Sequence, residues 1–293
     1  MAQHAVEFEV AGPWSLDASR EFWEEFAPLA PASAADSLLG SDGALRTVFH
    51  ADADWRRVAA EITQDGTTAR VVVAGDGDLD AAAEQVRRFL SLDVDARGWP
   101  AVAERDPVIA EVQTRWPGLR PCGFHSPYEA ATWAVLTQRT GMTSARRMRD
   151  DLIGRYGTGS AFPSPGALLD LDFELPWRKT EYLHSVAHAA LDGLLDGTRL
   201  RTLSPEEAVR QVQRVKGLGA FSAELVVVRG ANHPDTLPTQ ERRLEAEITE
   251  QYGPGHSLTE VSENWRPYRT WAALHLRVLR AERMNACPAP AAC

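Results

Sequence analysis

Cysteine is scarce in this sequence, and the three cysteines, Cys122, Cys287 and Cys293, form no C-x-x-C pair. By themselves they cannot build a disulfide framework, a zinc site or a four-cysteine iron–sulfur cluster. Long apolar runs are also missing, and the first residues lack the pattern of a signal peptide. These absences predict a cytoplasmic protein with no membrane segment.

An excess of basic residues is missing as well. The 293-residue chain has 31 Lys and Arg against 41 Asp and Glu, a net charge of −10. Residues 1–100 carry 18 acidic and 8 basic side chains, whereas residues 101–293 carry 23 of each. An acidic total argues against nucleic acid as a partner. However, the whole acidic excess lies in the first third, so the remainder can still present a local basic face.

Residues 1–98 have the pattern of a small α+β domain. Short apolar segments with strand character alternate with two amphipathic helices, and Asp65-Gly66 is a strong hairpin signal. The strands are predicted near Phe8 and Val10 and at 44–50, 58–63 and 69–74, and the helices at 15–26 and 79–92. We expect an antiparallel sheet with helices beside it. Its acidic residues are most simply a solvated surface.

Helical patterns joined by Gly- and Pro-bearing turns dominate after residue 98. We therefore predict a helical domain over 99–284. The last residues, 285–293, are rich in Ala and Pro and predict a flexible tail.

The stretch 215–224 predicts two helices joined by a tight hairpin. Ser204-Pro205-Glu206-Glu207 reads as a capping box that opens the first helix. Gly217-Leu218-Gly219 follows, and a second apolar helix face runs on to Gly230. Amide groups at the start of the second helix, from 217 to 220, could point at a phosphate, and Lys216 could reinforce that contact. A plain turn between two helices is the alternative.

Two further stretches carry candidate functional residues. Ser126–Glu129 predicts another capping box, and the helix that it opens ends at Gln138-Arg139, before Gly141. Thr239 is a plausible N-cap of a later helix, which places Glu241 in the first turn, where the helix dipole keeps a carboxylate ionised. Without further information, the first is an ordinary helix end and the second an ordinary acid at a helix start.

At this point the sequence resembles the helix-hairpin-helix DNA glycosylases, and in particular the bacterial 3-methyladenine DNA glycosylase II group. Four segments carry the resemblance in the family's order along the chain, together spanning about residues 90–283. They are Phe124–Ala130 with its continuation to Gln138-Arg139, Phe162–Leu169, Lys216–Arg229 and Trp265–Trp271. The resemblance implies a mainly α helix-hairpin-helix glycosylase fold with a small N-terminal α+β domain.

The resemblance also implies roles for named residues. Arg139, with Gln138 beside it, takes the position of the side chain that fills the gap left by a flipped base. Glu241 stands where the family normally has its catalytic aspartate, 22 positions after Gly219. Asp235, the acid of the preceding loop, is the reserve candidate. Phe221 stands where relatives that also cut the DNA strand carry a lysine, so no Schiff base is expected there.

The predicted base pocket is less aromatic than in the glycosylase II group. Phe221 corresponds to a stacking tryptophan of that group, whereas Leu225 and Arg277 stand at two further aromatic positions. Trp133 and Tyr182 could compensate, although either is more often a core residue. A cationic alkylated purine, which favours aromatic faces, is then a less obvious substrate.

Two hypotheses of different class follow. The first is a monofunctional DNA N-glycosylase that removes alkylated purines in base-excision repair. The alternative is a non-catalytic protein of the same fold that binds damaged DNA; an unrelated helical interaction protein fits the four ordered segments poorly. We expect a monomer that acts on double-stranded DNA in the nucleoid. We expect no metal site, because His184 and His188 have no third ligand, and no iron–sulfur cluster. The resemblance allows a monovalent cation at the hairpin carbonyls.

Overall fold

A four-stranded antiparallel sheet forms the N-terminal part of the computed structural model, which describes residues 2–25 and 43–286. The strand order is β1–β4–β3–β2. The elements are β1 (Ala2–Glu9), α1 (Leu16–Glu25), β2 (Leu45–His50), β3 (Arg57–Asp65), β4 (Thr68–Gly75) and α2 (Leu79–Phe89). The predicted α+β unit is therefore present. Phe26, predicted at the end of the first helix, lies outside the described residues.

Alternation of apolar residues builds the inner face of this sheet. Val58, Ala60 and Ile62 of β3 are buried, and in the antiparallel register Ile62 stands opposite the buried Val71 of β4. Side chains that alternate along a strand point to opposite faces, so one face of the sheet is apolar. Helix α2 packs its own buried residues into the same core.

The rest of the described chain is helical, as predicted. The helices are α3 (Pro100–Arg105), α4 (Pro107–Arg115), α5 (Pro127–Thr137), α6 (Met142–Tyr156), α7 (Pro165–Leu169), α8 (Lys179–Leu191), α9 (Gly197–Thr202), α10 (Pro205–Gln213), α11 (Ala220–Leu225), α12 (Arg242–Tyr252), α13 (Leu258–Ser262) and α14 (Arg269–Ala286). Helix α11 continues directly into a π-helical turn, Val226–Gly230. Of the predicted tail, residues 287–293 lie outside the described part. Within that part, none of the helices combines the length and apolarity that a bilayer crossing requires.

Two apolar cores divide the helical part. The first core joins the sheet to the helices between residues 122 and 231. The second core joins residues 94–112 to α12, α13 and α14. The hairpin and the end of α5 therefore rest on the first core, whereas Glu241 and Arg277 rest on the second.

One buried carboxylate ties the second core together. Asp106 caps α4 by accepting hydrogen bonds from the backbone N–H groups of Val108 and Ile109, at 3.0 and 3.2 Å. It also accepts from the Tyr252 hydroxyl, at 2.8 Å, and from the Trp265 indole N–H, at 2.7 Å. Burial of a charge is tolerated where its oxygens are satisfied in this way.

Replacing this carboxylate should destabilise the protein far more than removing an exposed cap. We expect Asp106→Ala to lower the free energy of unfolding by about 3 kcal/mol, because a cap is lost and two buried donors are left unpaired. Asp78, the exposed N-cap of α2, is the matched control. For Asp78→Ala we expect about 1 kcal/mol. Urea unfolding of both variants measures the difference, and equal losses would contradict the role of Asp106.

Candidate active site and nucleic-acid interface

The predicted hairpin is present between α10 and α11. Helix α10 opens with the complete capping box of Ser204 and Glu207. Gly217 has φ +96°, and a Cβ at this position would lie 2.5 Å from the Tyr182 ring. Gly219 is extended, with φ −83°, and a Cβ there would meet nothing within 4 Å. The first glycine is thus required by conformation and packing, and the second leaves the outer side of the turn open.

The backbone of this turn leads into α11, whose first N–H groups have no partner within the helix. Leu218 is buried and fixes the turn to the core, whereas Ala220 is exposed. An anion at this helix start would meet unpaired donors and the positive end of the helix dipole. The geometry is therefore compatible with the predicted phosphate contact.

The turn after α5 is joined to the hairpin by one hydrogen bond. The Gln138 side-chain amide donates to the Gly217 carbonyl at 2.6 Å. Arg139 is exposed and has φ +51°, a region that residues other than glycine rarely adopt. Gly141, predicted to close α5, instead precedes α6 as its N-cap. Gln138 and Arg139 are the two residues predicted to fill the gap left by a flipped base, and we call them the wedge residues. They thus lie directly beside the hairpin.

A buried lysine supports the same turn. The Lys179 ammonium donates to the carbonyls of Val135, Leu136 and Gln138, at 2.8, 2.9 and 2.6 Å. These carbonyls lie at the C-terminal end of α5, where helical carbonyls lack intrahelical partners and the dipole is negative. No local pattern in the sequence indicates this role of Lys179, because its partners belong to a distant helix end.

Lys216 lies in an exposed charge cluster. Its ammonium is 2.5 Å from the Glu181 carboxylate, which also accepts two hydrogen bonds from the Arg178 guanidinium. The hydrogen bonds from Arg178, together with the one from Lys216, lower the pKa of Glu181 to about 2. A phosphate that bound Lys216 would have to compete with this carboxylate.

Glu241 itself caps α12, and Thr239, the predicted N-cap, does not. The Glu241 carboxylate accepts a hydrogen bond from the Arg243 backbone N–H at 3.0 Å. The Arg277 guanidinium lies 3.8 Å from the same oxygen. Burial lowers the pKa of Arg277, and the nearby Glu241 carboxylate counteracts that effect. The catalytic candidate and one predicted pocket residue are therefore an ion pair.

Thr239 has a different role, which involves an acid that the sequence did not single out. Its hydroxyl donates to Glu224 at 2.6 Å, and the Gln240 backbone N–H donates to the other Glu224 oxygen at 2.8 Å. Glu224 lies on α11, one turn after Phe221. It therefore connects the hairpin helix to the segment that carries Glu241.

The reserve acid, Asp235, is fully engaged. It accepts hydrogen bonds from the guanidinium groups of Arg266 and Arg269, at 2.8 and 3.0 Å, and from the Arg269 backbone N–H. Two cations offset its charge, so it holds the loop before α12 against the start of α14.

The predicted pocket residues differ in accessibility. Phe221 is 50% exposed, and Leu225 and Arg277 are half-buried. Trp133 is 5% exposed and belongs to the first core. A flipped base would therefore meet Phe221 as its aromatic surface, and Trp133 could contribute only after a rearrangement of the core.

The sequence predicts no metal site. Among residues 2–25 and 43–286, no group of three or more His, Cys, Asp or Glu side chains is arranged to hold one. The monovalent cation allowed by the resemblance would need hairpin carbonyls, and those of Val215 and Gly217 already accept hydrogen bonds from Leu218 and Gln138.

Comparison with known proteins agrees with this arrangement. The chain is 22% identical over 214 residues to the DNA-3-methyladenine glycosylase of Bacillus subtilis, covering 66% of this chain and 71% of that protein. It is 26% identical over 231 residues to a probable bifunctional transcriptional activator/DNA repair enzyme AlkA of Mycobacterium tuberculosis, covering 72% of this chain and 45% of that protein. It thus spans less than half of the second relative. No protein-family model matches the chain.

The fold is that of a solved glycosylase. The structure of the 3-methyladenine DNA-glycosylase from Archaeoglobus fulgidus superposes with a TM-score of 0.70 at 17% identity, over 94% of this chain and 98% of that one. The chain therefore has the fold of this DNA glycosylase, and its sequence is similar to proteins named DNA-3-methyladenine glycosylase and DNA repair enzyme.

Substitutions at the two hairpin glycines should have different effects, one on DNA binding and the other on stability. In Gly219→Asp the new side chain has room, and the extended backbone at this position suits an N-cap. We therefore expect a normal melting temperature. Its negative charge at the start of α11 should weaken binding to duplex DNA at least about tenfold, because it opposes a phosphate there. Gly219→Ala is the control and should bind normally.

Gly217→Ala should instead lower stability by about 1–3 kcal/mol, because alanine disfavours the positive φ and its Cβ would overlap the Tyr182 ring. Thermal unfolding and fluorescence anisotropy with labelled duplex DNA separate the two effects. Unchanged DNA binding by folded Gly219→Asp would show that the hairpin is not the phosphate contact.

Proposed function

We propose that this chain is a monofunctional DNA N-glycosylase that excises alkylated purines in base-excision repair. The observation that carries the proposal is the hydrogen bond that joins the α5 turn to the hairpin, together with the position of Glu241 at the start of α12, which packs in the second core. The candidate gap-filling residues contact the candidate phosphate-binding hairpin, and Glu224 of α11 links that hairpin helix to the segment just before Glu241. The names of the relatives, a 3-methyladenine glycosylase and a DNA repair enzyme, support the same activity.

The chemistry follows from breaking an N-glycosidic bond. As the base leaves, positive charge develops on the deoxyribose, and a nearby carboxylate stabilises that charge or activates the attacking water. An alkylated purine already carries positive charge and is a good leaving group, so a single carboxylate is sufficient. Glu241 is the candidate for this role, as the N-cap of α12.

Strand cleavage is not part of the proposal. A lyase step needs an amine that forms a Schiff base with the sugar. The chain has only two lysines. Lys179 is buried against three carbonyls, and Lys216 is paired with Glu181. Phe221 takes the position at which the resemblance would place the reactive lysine.

The choice of lesion depends on Arg277. Its guanidinium lies at the Glu241 carboxylate, where the resemblance implies an aromatic side chain. A cationic base would be repelled by Arg277 unless Glu241 offset that charge. We propose alkylated purines as the substrate class because two relatives are named 3-methyladenine glycosylases, and because the Glu241 carboxylate offsets the charge of Arg277. Phe221 would stack on one face of the base, with Leu225 beside it.

The remaining partners follow from this role. The protein would bind double-stranded DNA as a monomer and act at the nucleoid in the cytoplasm. It would require no iron–sulfur cluster and no other cofactor for the bond cleavage. Damaged DNA bound without cleavage is the alternative function, and the next experiment distinguishes it.

Release of free methylpurines from methylated duplex DNA tests the proposal directly. We expect wild-type protein to release them and Glu241→Gln to lose about 100-fold or more in rate, since the charge is removed and the shape is kept. Glu241→Asp should stay within about tenfold of wild type, because aspartate preserves both the charge and the cap.

Glu245→Gln, the same change one turn further along α12, is the control and should be neutral. DNA binding is measured for every variant. Release that persists in Glu241→Gln would move the chemistry to another acid, such as Asp235 or Glu224. Binding without release by the wild type would favour the non-catalytic alternative.

A further inference from the structure

Glu224 differs from the other acids near the candidate active site because its partners are uncharged. Its carboxylate accepts hydrogen bonds from the Thr239 hydroxyl at 2.6 Å and from the Gln240 backbone N–H at 2.8 Å. Within the part of the chain that the structure describes, no Lys, Arg or His side chain forms an ion pair with this carboxylate. Neutral donors therefore hold it in place, and no cation cancels its charge.

The two acids proposed or held in reserve for catalysis are paired with cations instead. The Arg277 guanidinium lies 3.8 Å from the Glu241 carboxylate, and Asp235 accepts hydrogen bonds from two arginine side chains. The pair of Glu241 and Arg277 carries no net charge as a unit. Glu224 therefore adds an uncompensated negative charge to the region in which the flipped base is expected.

Glu224 shares one face of α11 with two residues of the predicted base pocket. Phe221, Glu224 and Leu225 stand at positions i, i+3 and i+4 of this helix, a spacing that makes side chains neighbours on a helix surface. Phe221 is exposed, whereas the other two are half-buried. The hydrogen bonds to residues 239 and 240 hold the carboxylate between this face and the start of α12. The predicted stacking ring thus has a fixed carboxylate beside it.

An aromatic ring with a carboxylate beside it binds a positively charged base better than a neutral one. Alkylation of a purine at a ring nitrogen such as N7 leaves the base with a positive charge. The carboxylate attracts that charge directly, and the face of the aromatic ring attracts it through its quadrupole. A neutral purine gains the stacking but not the attraction to the carboxylate. Stacking on Phe221 is therefore common to all flipped bases, whereas Glu224 distinguishes them by charge.

We propose that Glu224 is a specificity-determining residue, which makes the base pocket favour cationic alkylated purines over neutral purines of the same shape. Arg277 opposes a cationic base, Glu241 offsets Arg277, and Glu224 supplies the remaining attraction. The carboxylate acts on the base by its charge and takes no part in breaking the glycosidic bond. The inference rests on the proposed function, because it requires a flipped base at Phe221.

The test compares two duplexes that differ in the charge of one base. One duplex carries 7-methylguanine, which is a cation, and the other carries its neutral isostere 7-deaza-7-methylguanine. Both bases are attached to 2′-fluoro sugars, which resist cleavage of the glycosidic bond. Fluorescence anisotropy of the labelled duplexes measures the two affinities in the same buffer. We expect wild-type protein to bind the cationic duplex about fivefold more tightly, since the carboxylate is half-buried and partly screened by water.

Glu224→Gln separates the charge from the shape of the side chain. The glutamine carbonyl can accept from the Gln240 backbone N–H, and its amide can donate to the Thr239 hydroxyl, so both contacts are kept. We expect a normal melting temperature and a ratio of the two affinities within about twofold of one, the remainder being the attraction to Phe221. The ratio is the readout, because loss of a negative charge changes the affinity for any duplex. Glu245→Gln, the same change at an exposed position of α12, should keep the wild-type ratio.

A wild-type ratio that survives in folded Glu224→Gln would overturn the inference, because Glu224 would then only hold the segment before α12. Equal affinities of the wild type for the two duplexes, or no binding above that to undamaged duplex, would also overturn it. Failure of the proposed function is a separate result, because it is read from base release. A charge preference that depends on Glu224, in a protein that releases no base, would uphold the inference and leave a damage-binding protein.

Discussion

The arrangement of the α5 turn and the hairpin depends on one ammonium group at the end of one helix. Lys179 is almost fully buried, and it satisfies three carbonyls at the C-terminus of α5. The turn that follows carries Arg139 and, through Gln138, holds the hairpin at Gly217. Burial lowers the pKa of the ammonium, whereas the carbonyl dipoles around it favour the charged form. A compact cation with three donors suits carbonyls that converge from one helix end better than the planar fork of arginine.

This use of lysine also bears on the chemistry. Arginine supplies almost all the other cations of the chain, and arginine cannot form a Schiff base. One of the two lysines maintains structure, and the other is paired with Glu181 at the surface. The proposed absence of strand cleavage thus rests on both lysines of the chain, and does not depend on position 221 alone.

Local patterns in the sequence were sufficient for much of the fold. The strands, the capping box at Ser204 and the hairpin all depend on neighbours within a few residues, and they are observed where predicted. The N-cap predicted for α12, Thr239, lies two positions before the observed N-cap, Glu241. Glu224 of another helix binds Thr239, and Glu241 caps α12 instead. The position of Lys179 beneath α5 could not be predicted either, since its partners lie more than forty residues away. Such contacts depend on tertiary packing, which no local pattern encodes.

Charge offers a physical reason for recognition by shape rather than by electrostatic attraction. The helical part is neutral overall, and carboxylates already pair with cations near the site: Glu181 with Lys216 and Arg178, and Glu241 with Arg277. Each such pair must be broken or shared when a phosphate or a base binds, which reduces the affinity for intact duplex. In the proposed function, stacking of a flipped base on Phe221 would carry no such cost. We therefore expect uncharged contacts of this kind to contribute most of the selectivity for a damaged base.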